Sequence, residues 1–306
     1  MNSLPPKYTK VLTLGSSRTD EALIGKVIIQ EKIDGSQFRF GLSGNGDIVA
    51  GSHRRNFGII LEGEEHDGMF LNALKSIERM RLELLRITPE TYFFAEYLSK
   101  PKHNALCYER TPKNNLVLFD VLQRGKWLDR DALSGYAEIL DIELIPELYR
   151  GESNIDMIKD LVGSTKSCLG GVNVEGAVIK NYEKNIELGG NIFPLFTKYV
   201  CDKFKELHGA NPMVGRKQTT LEDFFKQFSA EARWVKAVNA LKEHGVLTNS
   251  VRDIGPIINS VIADIKEECA DDIKEFLYNR YIRDIARTAT INIPNWYKEK
   301  LLENLK

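Results

Sequence analysis

Val27-Ile28-Ile29-Gln30-Glu31-Lys32-Ile33-Asp34-Gly35 (VIIQEKIDG) decides how this chain reads. Its β-branched residues favour an extended strand, and Asp34-Gly35 is a turn pair, so the stretch is a strand running into a turn. QFRFGL (residues 37–42) follows as a second strand. Lys32 is thereby placed as a single amine on a rigid strand end facing a cleft. At its ordinary pKa of about 10.4 a lysine is an ammonium, and it attacks phosphorus only after burial or neighbouring positive charge removes the proton. By itself the stretch fits an exposed hairpin lysine equally well.

Working outward, further apolar runs end on acids and lysines. After EKIDG (31–35) come Phe94-Ala95-Glu96, then Phe119-Asp120, then EGAVIK (175–180) with Glu175 and Lys180, then Lys198 in LFTKYV (195–200). One acid at a strand end is ordinarily a solvated side chain; five such elements in one chain order suit nucleotide transfer. The strand-like runs are residues 27–33, 38–42, 92–98, 116–122, 172–180 and 193–200, with helical periodicity at 69–87, 129–140 and 155–162. From residue 219 the periodicity is helical almost throughout, interrupted at Gly255-Pro256 and again at NIPNW (292–296). The expected fold is α+β: a domain of antiparallel sheets flanked by helices over residues 1–215, then an all-helical domain over 219–306.

The chain has 306 residues with 42 Lys+Arg against 43 Asp+Glu, so it is no cationic nucleic-acid coat, although a local basic groove remains open to it. The four cysteines are scattered without CxxC, and only His103 and Cys107 share a ligand-like spacing, which argues against a zinc site. No apolar run approaches 18 residues and none follows residues 1–10, so a reduced, cytoplasmic, membrane-free protein is expected. His103 reads either as a contact for a nucleic-acid end or as a loop histidine satisfied by backbone. Trp127, Trp234 and Trp296 read as core or interface anchors.

Taken in order, KIDG (32–35), SHRR (52–55), FAEYL (94–98), LFDV (118–121), EGAVIK (175–180) and FTKYV (196–200) resemble motifs I, Ia, III, IIIa, IV and V of the covalent nucleotidyltransferases. That superfamily, with its ATP-grasp-like ligase domain, includes polynucleotide ligases and mRNA capping guanylyltransferases. EKIDG near the start, EYLSKPKHNALCYER (96–110) and a helical C-terminal part are similar to RNA ligases of the T-even phage double-strand type. The resemblance implies an ATP-dependent RNA ligase in which Lys32 attacks ATP and carries AMP. The AMP then passes to a 5′-phosphate end, and a 3′-hydroxyl displaces it.

The resemblance further implies that Glu175 engages Mg2+ or Mn2+, Glu96 binds the ribose, Phe119 stacks on adenine and Asp120 supports the site. Lys180 and Lys198 grip phosphates, one of Arg54 and Arg55 does the same, and Glu31, Asp34, Gly35 and Gln37 belong to the nucleotide site. The implied partner is RNA, as a nicked duplex or broken strand ends. The enzyme would be a monomer, in the bacterial host cytoplasm if viral. Three departures stand out: Asp34 where the phage prototype has His, Val200 where motif V has a second lysine, and Gln37 where DNA ligases and capping enzymes carry Arg. Lys203 or Lys205 could replace the missing lysine. A capping guanylyltransferase and a DNA ligase are the nearest rivals, both disfavoured by the helical C-terminal part. A catalytically silent nucleotide or RNA-end binding protein is the rival from another class. The helical domain is expected to hold the polynucleotide, through Arg280, Arg283 and Arg287 unless Asp284 pairs with them.

Overall fold

Residues 27–32 extend because one face of the strand can be fully buried: Val27 and Ile29 are both essentially inaccessible to solvent. The computed structural model describes residues 4–15, 17–66, 68–188, 190–201 and 221–303. In chain order its strands are β1 (Leu12–Thr13), β2 (Val27–Lys32), β3 (Ser36–Leu42), β4 (Ile48–Ser52), β5 (Asn56–Ile59), β6 (Thr91–Tyr97), β7 (Leu116–Gln123), β8 (Lys126–Trp127), β9 (Glu143–Leu144), β10 (Glu147–Gly151), β11 (Gly176–Leu188) and β12 (Asn191–Val200). The helices are α1 (Leu71–Arg79), α2 (Arg81–Leu84), α3 (Arg130–Ile139), α4 (Ile155–Ser164), α5 (Leu221–Lys226), α6 (Glu231–Glu243), α7 (Ile254–Glu268), α8 (Ala270–Thr290) and α9 (Ile293–Glu303).

The strands form two sheets. One runs β1-β12-β11-β2-β10; the other runs β5-β4-β3-β6-β7-β8, with β9 added beside β7. The fold is therefore α+β, as the sequence suggests, and its sheets are antiparallel except where β1 pairs with β12 and β9 with β7. Period-two alternation gives each sheet one helix-covered face. Phe38, Phe40, Phe93, Ala95, Leu116 and Leu118 pack with Ala73, Leu74 and Ile77 of α1 and Leu133 and Ala137 of α3. Val27, Ile29, Ala177 and Ile179 pack with Ile158 and Val162 of α4. The opposite faces carry the polar residues and approach each other, as the contact from Lys180 on β11 to Asp120 on β7 shows.

The backbone packs as two compact units, Met1–Ile257 and Ile258–Lys306. Both sheets and helices α1 to α6 belong to the first; the second is helical, with Ile262, Tyr278, Ile285 and Trp296 exposed. Residues 219–220, where the sequence suggests a boundary, lie outside the described residues.

Several local expectations change. The single helix over residues 69–87 is two, because Met80 leaves helical geometry (φ −97°, ψ 17°), and Arg81 beyond it binds Glu78 and the Ile60 carbonyl. The strand over 172–180 starts only at Gly176, after a turn through Gly170-Gly171. Gly255-Pro256 does not interrupt a helix but lies in the first turn of α7, where a proline loses no intrahelical bond. Within residues 292–296, α9 already begins at Ile293 for the same reason. Trp127 joins an aromatic cluster, whereas Trp234 and Trp296 expose about half their surface and anchor no core.

Gly176 is a point of forced backbone contact: a Cβ there would sit 2.1 Å from the Tyr199 carbonyl and 2.9 Å from Val200 Cα. Gly176→Ala should lower unfolding free energy by about 1–3 kcal/mol, the range for overpacking, in a urea titration. Gly135→Ala, inside α3 where nothing lies near the added methyl, should raise it by roughly 0.5–1 kcal/mol.

Candidate active site

β2 ends with Lys32 at the mouth between the sheets. Its Nζ donates to Glu175 Oε2 at 2.7 Å, an ion pair whose side chains are mostly shielded. Glu175 sits immediately before β11, whose first residue Gly176 pairs with Lys32 across the ladder, so the carboxylate reaches the amine from the entry of the strand. Burial disfavours the Lys32 ammonium, but Glu175, Glu96 and Asp34 outweigh it and hold its pKa above the ordinary lysine value. The same crowding acts on the acids. Burial pushes Glu175 up despite Lys32, and it pushes Glu96 up to about 8, with Glu175 and Asp34 adding to the rise and Lys32 opposing it.

The turn after Lys32 is locked by backbone. Asp34 Oδ2 accepts from the Ala105 and Leu106 N–H groups, both at 2.8 Å, and the Asp34 N–H donates to Tyr108 Oη. A Cβ on Gly35 would meet the Tyr97 carbonyl at 2.7 Å and Glu96 Cγ at 2.8 Å, so glycine is required for this approach. Asn104 Nδ2 donates to the Gly35 carbonyl at 2.6 Å. His103 resolves to a satisfied loop histidine: Nδ1 accepts from the Ser99 N–H, Nε2 meets Ser36 Oγ at 2.9 Å, and burial lowers its pKa to about 4.

Phe119 and Asp120 lie on β7 facing β11. Lys180 Nζ donates to Asp120 Oδ2 and to the Phe119 carbonyl, both at 2.6 Å, with the two side chains 1% and 0% exposed. This corrects the sequence-level role of Lys180: its ammonium is enclosed, with two of its three N–H bonds directed at the opposite sheet, and acts as a tie between sheets in place of a solvent-facing phosphate grip. Tyr8 also donates to Asp120, and its ring meets Phe119 edge-on at 5.1 Å, among Phe94, Trp127 and Phe196. Glu31 needs a second correction. It lies on the far side of β2, where its carboxylate accepts from Ser167 Oγ at 2.5 Å and the Cys168 N–H at 3.0 Å.

Lys32, Gly176 and Val200 form one row across the sheet, and Gln30, Val178 and Lys198 form the next on the same face. Lys198 therefore shares the cleft face with Lys32, and its charge opposes the rise of the Glu175 pKa. Lys203 and Lys205 lie outside the described residues. Gln37 pairs with Glu96 across β3 and β6, and its Oε1 is buried without a hydrogen-bond partner among the described residues. In SHRR, Ser52 Oγ accepts from the N–H groups of Arg54 and Arg55. Arg54 is half-buried; Arg55 is exposed, lies over the Phe57 ring and donates to the Glu243 carbonyl at 3.3 Å.

Sequence reasoning passed over Tyr8, Asn104, Tyr108, Asn239 and Glu243. Tyr108 and Asn104 fall in the quoted stretch 96–110, so their proximity to Asp34 had a signal; the other three are isolated polar residues with none. Among the described residues no three His, Cys, Asp or Glu side chains cluster as a metal cage. A lone carboxylate such as Glu175 has the chemistry to join Mg2+ or Mn2+ held mainly by phosphate oxygens and water.

Compared by sequence with curated proteins, the chain has no significant match. Among solved structures it is similar to Naegleria gruberi RNA ligase with PPi, at 15% identity and a TM-score of 0.48 over 67% of this chain and 58% of that one. A mutant of the same ligase with ATP and Mn gives 15% identity and a TM-score of 0.45, over 64% and 60%. The chain thus spans less than two thirds of the length of these ligases. The sequence model of the RNA ligase family matches residues 25–198, a segment that contains Lys32, Glu96, Phe119, Glu175 and Lys198 and more than half of all residues, and the chain belongs to that family.

Proposed function

We propose that the protein is an ATP-dependent RNA ligase acting through a lysyl-AMP on Lys32. The observation that carries this is the shielded Lys32 amine held at 2.7 Å from Glu175, with Glu96 and Asp34 close enough to act on its charge. Lys32 Nζ attacks the α-phosphorus of ATP, the bond to pyrophosphate breaks, and the amine proton is lost. AMP next passes to a 5′-phosphate end, and a 3′-hydroxyl displaces it to leave a phosphodiester.

Burial is the largest single influence on Lys32 and favours the neutral amine; the carboxylates override it. A divalent cation held by Glu175 would offset the negative charge that favours the Lys32 ammonium, and would supply positive charge to the phosphate oxygens of ATP. Glu96 would take the ribose, Phe119 would stack on the base, and Lys198 with Arg54 would hold phosphate. Arg54, half-buried where Arg55 is exposed, is preferred for that contact.

Within the family the chain stands beside the T-even phage double-strand RNA ligases, repairing RNA breaks as a monomer in the cytoplasm of an infected bacterium. No helix among the described residues is long and apolar enough to cross a membrane. Arg280 and Arg283 on α8 would grip RNA, while Arg287 lies 3.5 Å from Asp284. The division into a catalytic part over residues 1–215 and a helical part over 219–306 belongs to this proposal.

One observation favours a second reading, a nucleotide-binding protein without chemistry: Val200 occupies the row of Lys32, where motif V has lysine. Incubation with α-labelled ATP and Mg2+ or Mn2+ separates the two. Label should survive denaturation in wild type and vanish in Lys32→Ala; label removed by washing supports binding alone.

Glu175→Gln should move two readouts in opposite directions. The Lys32 pKa falls, so acylation of Lys32 at pH 9, followed by peptide mass mapping, rises several-fold. Lysyl-AMP formation falls on the order of 100-fold with the loss of the metal-organising charge. Phe119→Ala should weaken ATP binding by roughly 1–3 kcal/mol, read as a rightward shift of the saturation curve.

A further inference from the structure

Helix α6 buries Arg233, Ala237 and Ala240 on one side, and its polar residues beside that side reach the candidate site. Asn239 donates to Asn104 Oδ1, and Asn104 in turn donates through Nδ2 to the Gly35 carbonyl at 2.6 Å. One turn further along, the Glu243 carboxylate accepts from Ser52 Oγ. Ser52 Oγ accepts from the Arg55 N–H at 2.9 Å and the Arg54 N–H at 3.3 Å, and Arg55 Nη1 donates to the Glu243 carbonyl at 3.3 Å. Residues four apart share a helix face and are separated by about 6 Å along the axis.

One face of α6 therefore heads two hydrogen-bond chains, one ending in the turn behind Lys32 and the other in the turn that presents Arg54. We propose that Asn239 and Glu243 are positioning residues that fix the spacing of these two turns for adenylylation, so that α6 belongs to the nucleotide site and not only to polynucleotide holding. This rests on the proposed ligase activity.

Ser52 is 1% exposed, so its hydroxyl proton has little recourse to water, and Glu243 is the acceptor that orients it. With the proton committed to Glu243, the oxygen lone pairs face the two N–H groups and the turn is held in one conformation. Asn104 is clasped similarly: Asn239 takes its carbonyl end and Gly35 its amide end. Its side chain cannot rotate without losing both bonds. Release of either chain frees only the turn that it holds, and a displacement of that turn costs rate or phosphate affinity.

The test uses the full chain with Glu243→Ala, Glu243→Gln and Asn239→Ala, assayed for lysyl-AMP formation against ATP concentration and for deuterium uptake without nucleotide. Glu243→Ala should raise the ATP KM about tenfold with kcat within twofold of wild type, because it frees the phosphate-holding turn. Asn239→Ala should lower kcat about tenfold with KM little changed, because it frees the turn behind the nucleophile. Glu243→Gln keeps an acceptor for Ser52 and should restore wild-type kinetics. Uptake should rise at residues 52–56 in Glu243→Ala and at 33–36 and 104–106 in Asn239→Ala, with the thermal midpoint unchanged. Unaltered kinetics or uptake in either alanine variant overturns the proposal. So does an equal loss of activity in Glu243→Gln and Glu243→Ala that follows a lowered thermal midpoint. If wild type itself forms no adduct while the uptake changes occur as expected, the ligase reading fails and α6 is left as a structural brace.

Discussion

A fully buried ion pair joins the two sheets across their inner faces. Lys180 on β11 and Asp120 on β7 have no access to water, so each charge is tolerable only because the other is there. Removing one partner of such a pair ordinarily costs about 3–5 kcal/mol, since the survivor is left charged and unsolvated. The pair recruits further groups: Lys180 also donates to the Phe119 carbonyl, and the hydroxyls of Tyr8 and Tyr182 both turn to Asp120. Phe119 is thus fixed at its backbone by an ammonium and at its ring by Tyr8. This crossing, with the aromatic contacts of Tyr8 and of Trp127 with Phe196 beside it, sets the gap between the sheets.

Against that frame of satisfied charge, Lys32 is set apart. The acids that flank it in sequence do not serve it in the same way. Alternation along β2 sends Glu31 to the far face, where it fastens the backbone at Ser167 and Cys168. Asp34 turns back to fasten Ala105 and Leu106. Both behave as staples on loops, and the carboxylate left for direct contact with the amine comes from Glu175, far away in the chain and brought there by ladder register. Burial and negative charge pull the Lys32 pKa in opposite directions, and loss of the Glu175 charge would lower it toward the neutral amine.

What could be read from the sequence was what short strings encode. Strands around Lys32, Glu96 and Phe119 were legible because alternation and turn residues are local, and the helix caps at Asp129 and Asn154 match the periodicity beside them. The enclosure of Lys180 was not legible. A lysine at a strand end looks like a solvent-facing cation, and only pairing with a residue on another sheet reveals it as structural. The helix over 69–87 failed at Met80 for a similar reason: its core contacts and the binding of Arg81 to Ile60 are long-range demands that periodicity does not register. Tyr8, Asn239 and Glu243 are single residues in unremarkable contexts, and their partners lie far from them in the chain.

The pairing of β1 with β12 bears on how the molecule is made. Leu12 sits opposite Thr197 and Thr13 opposite Lys198, in parallel, while Tyr8 just upstream fills the space beside Phe119 and Phe196. On the ribosome the chain emerges from its N-terminus, so β1 and Tyr8 must wait, unpaired, until the strand carrying Lys198 has been synthesised. Closing so long a loop before any contact repays it makes this a slow, late event by the usual relation between contact order and rate. Nucleotide binding competence would accordingly arrive with the last strand of the sheet, after the hairpins of the second sheet have already formed.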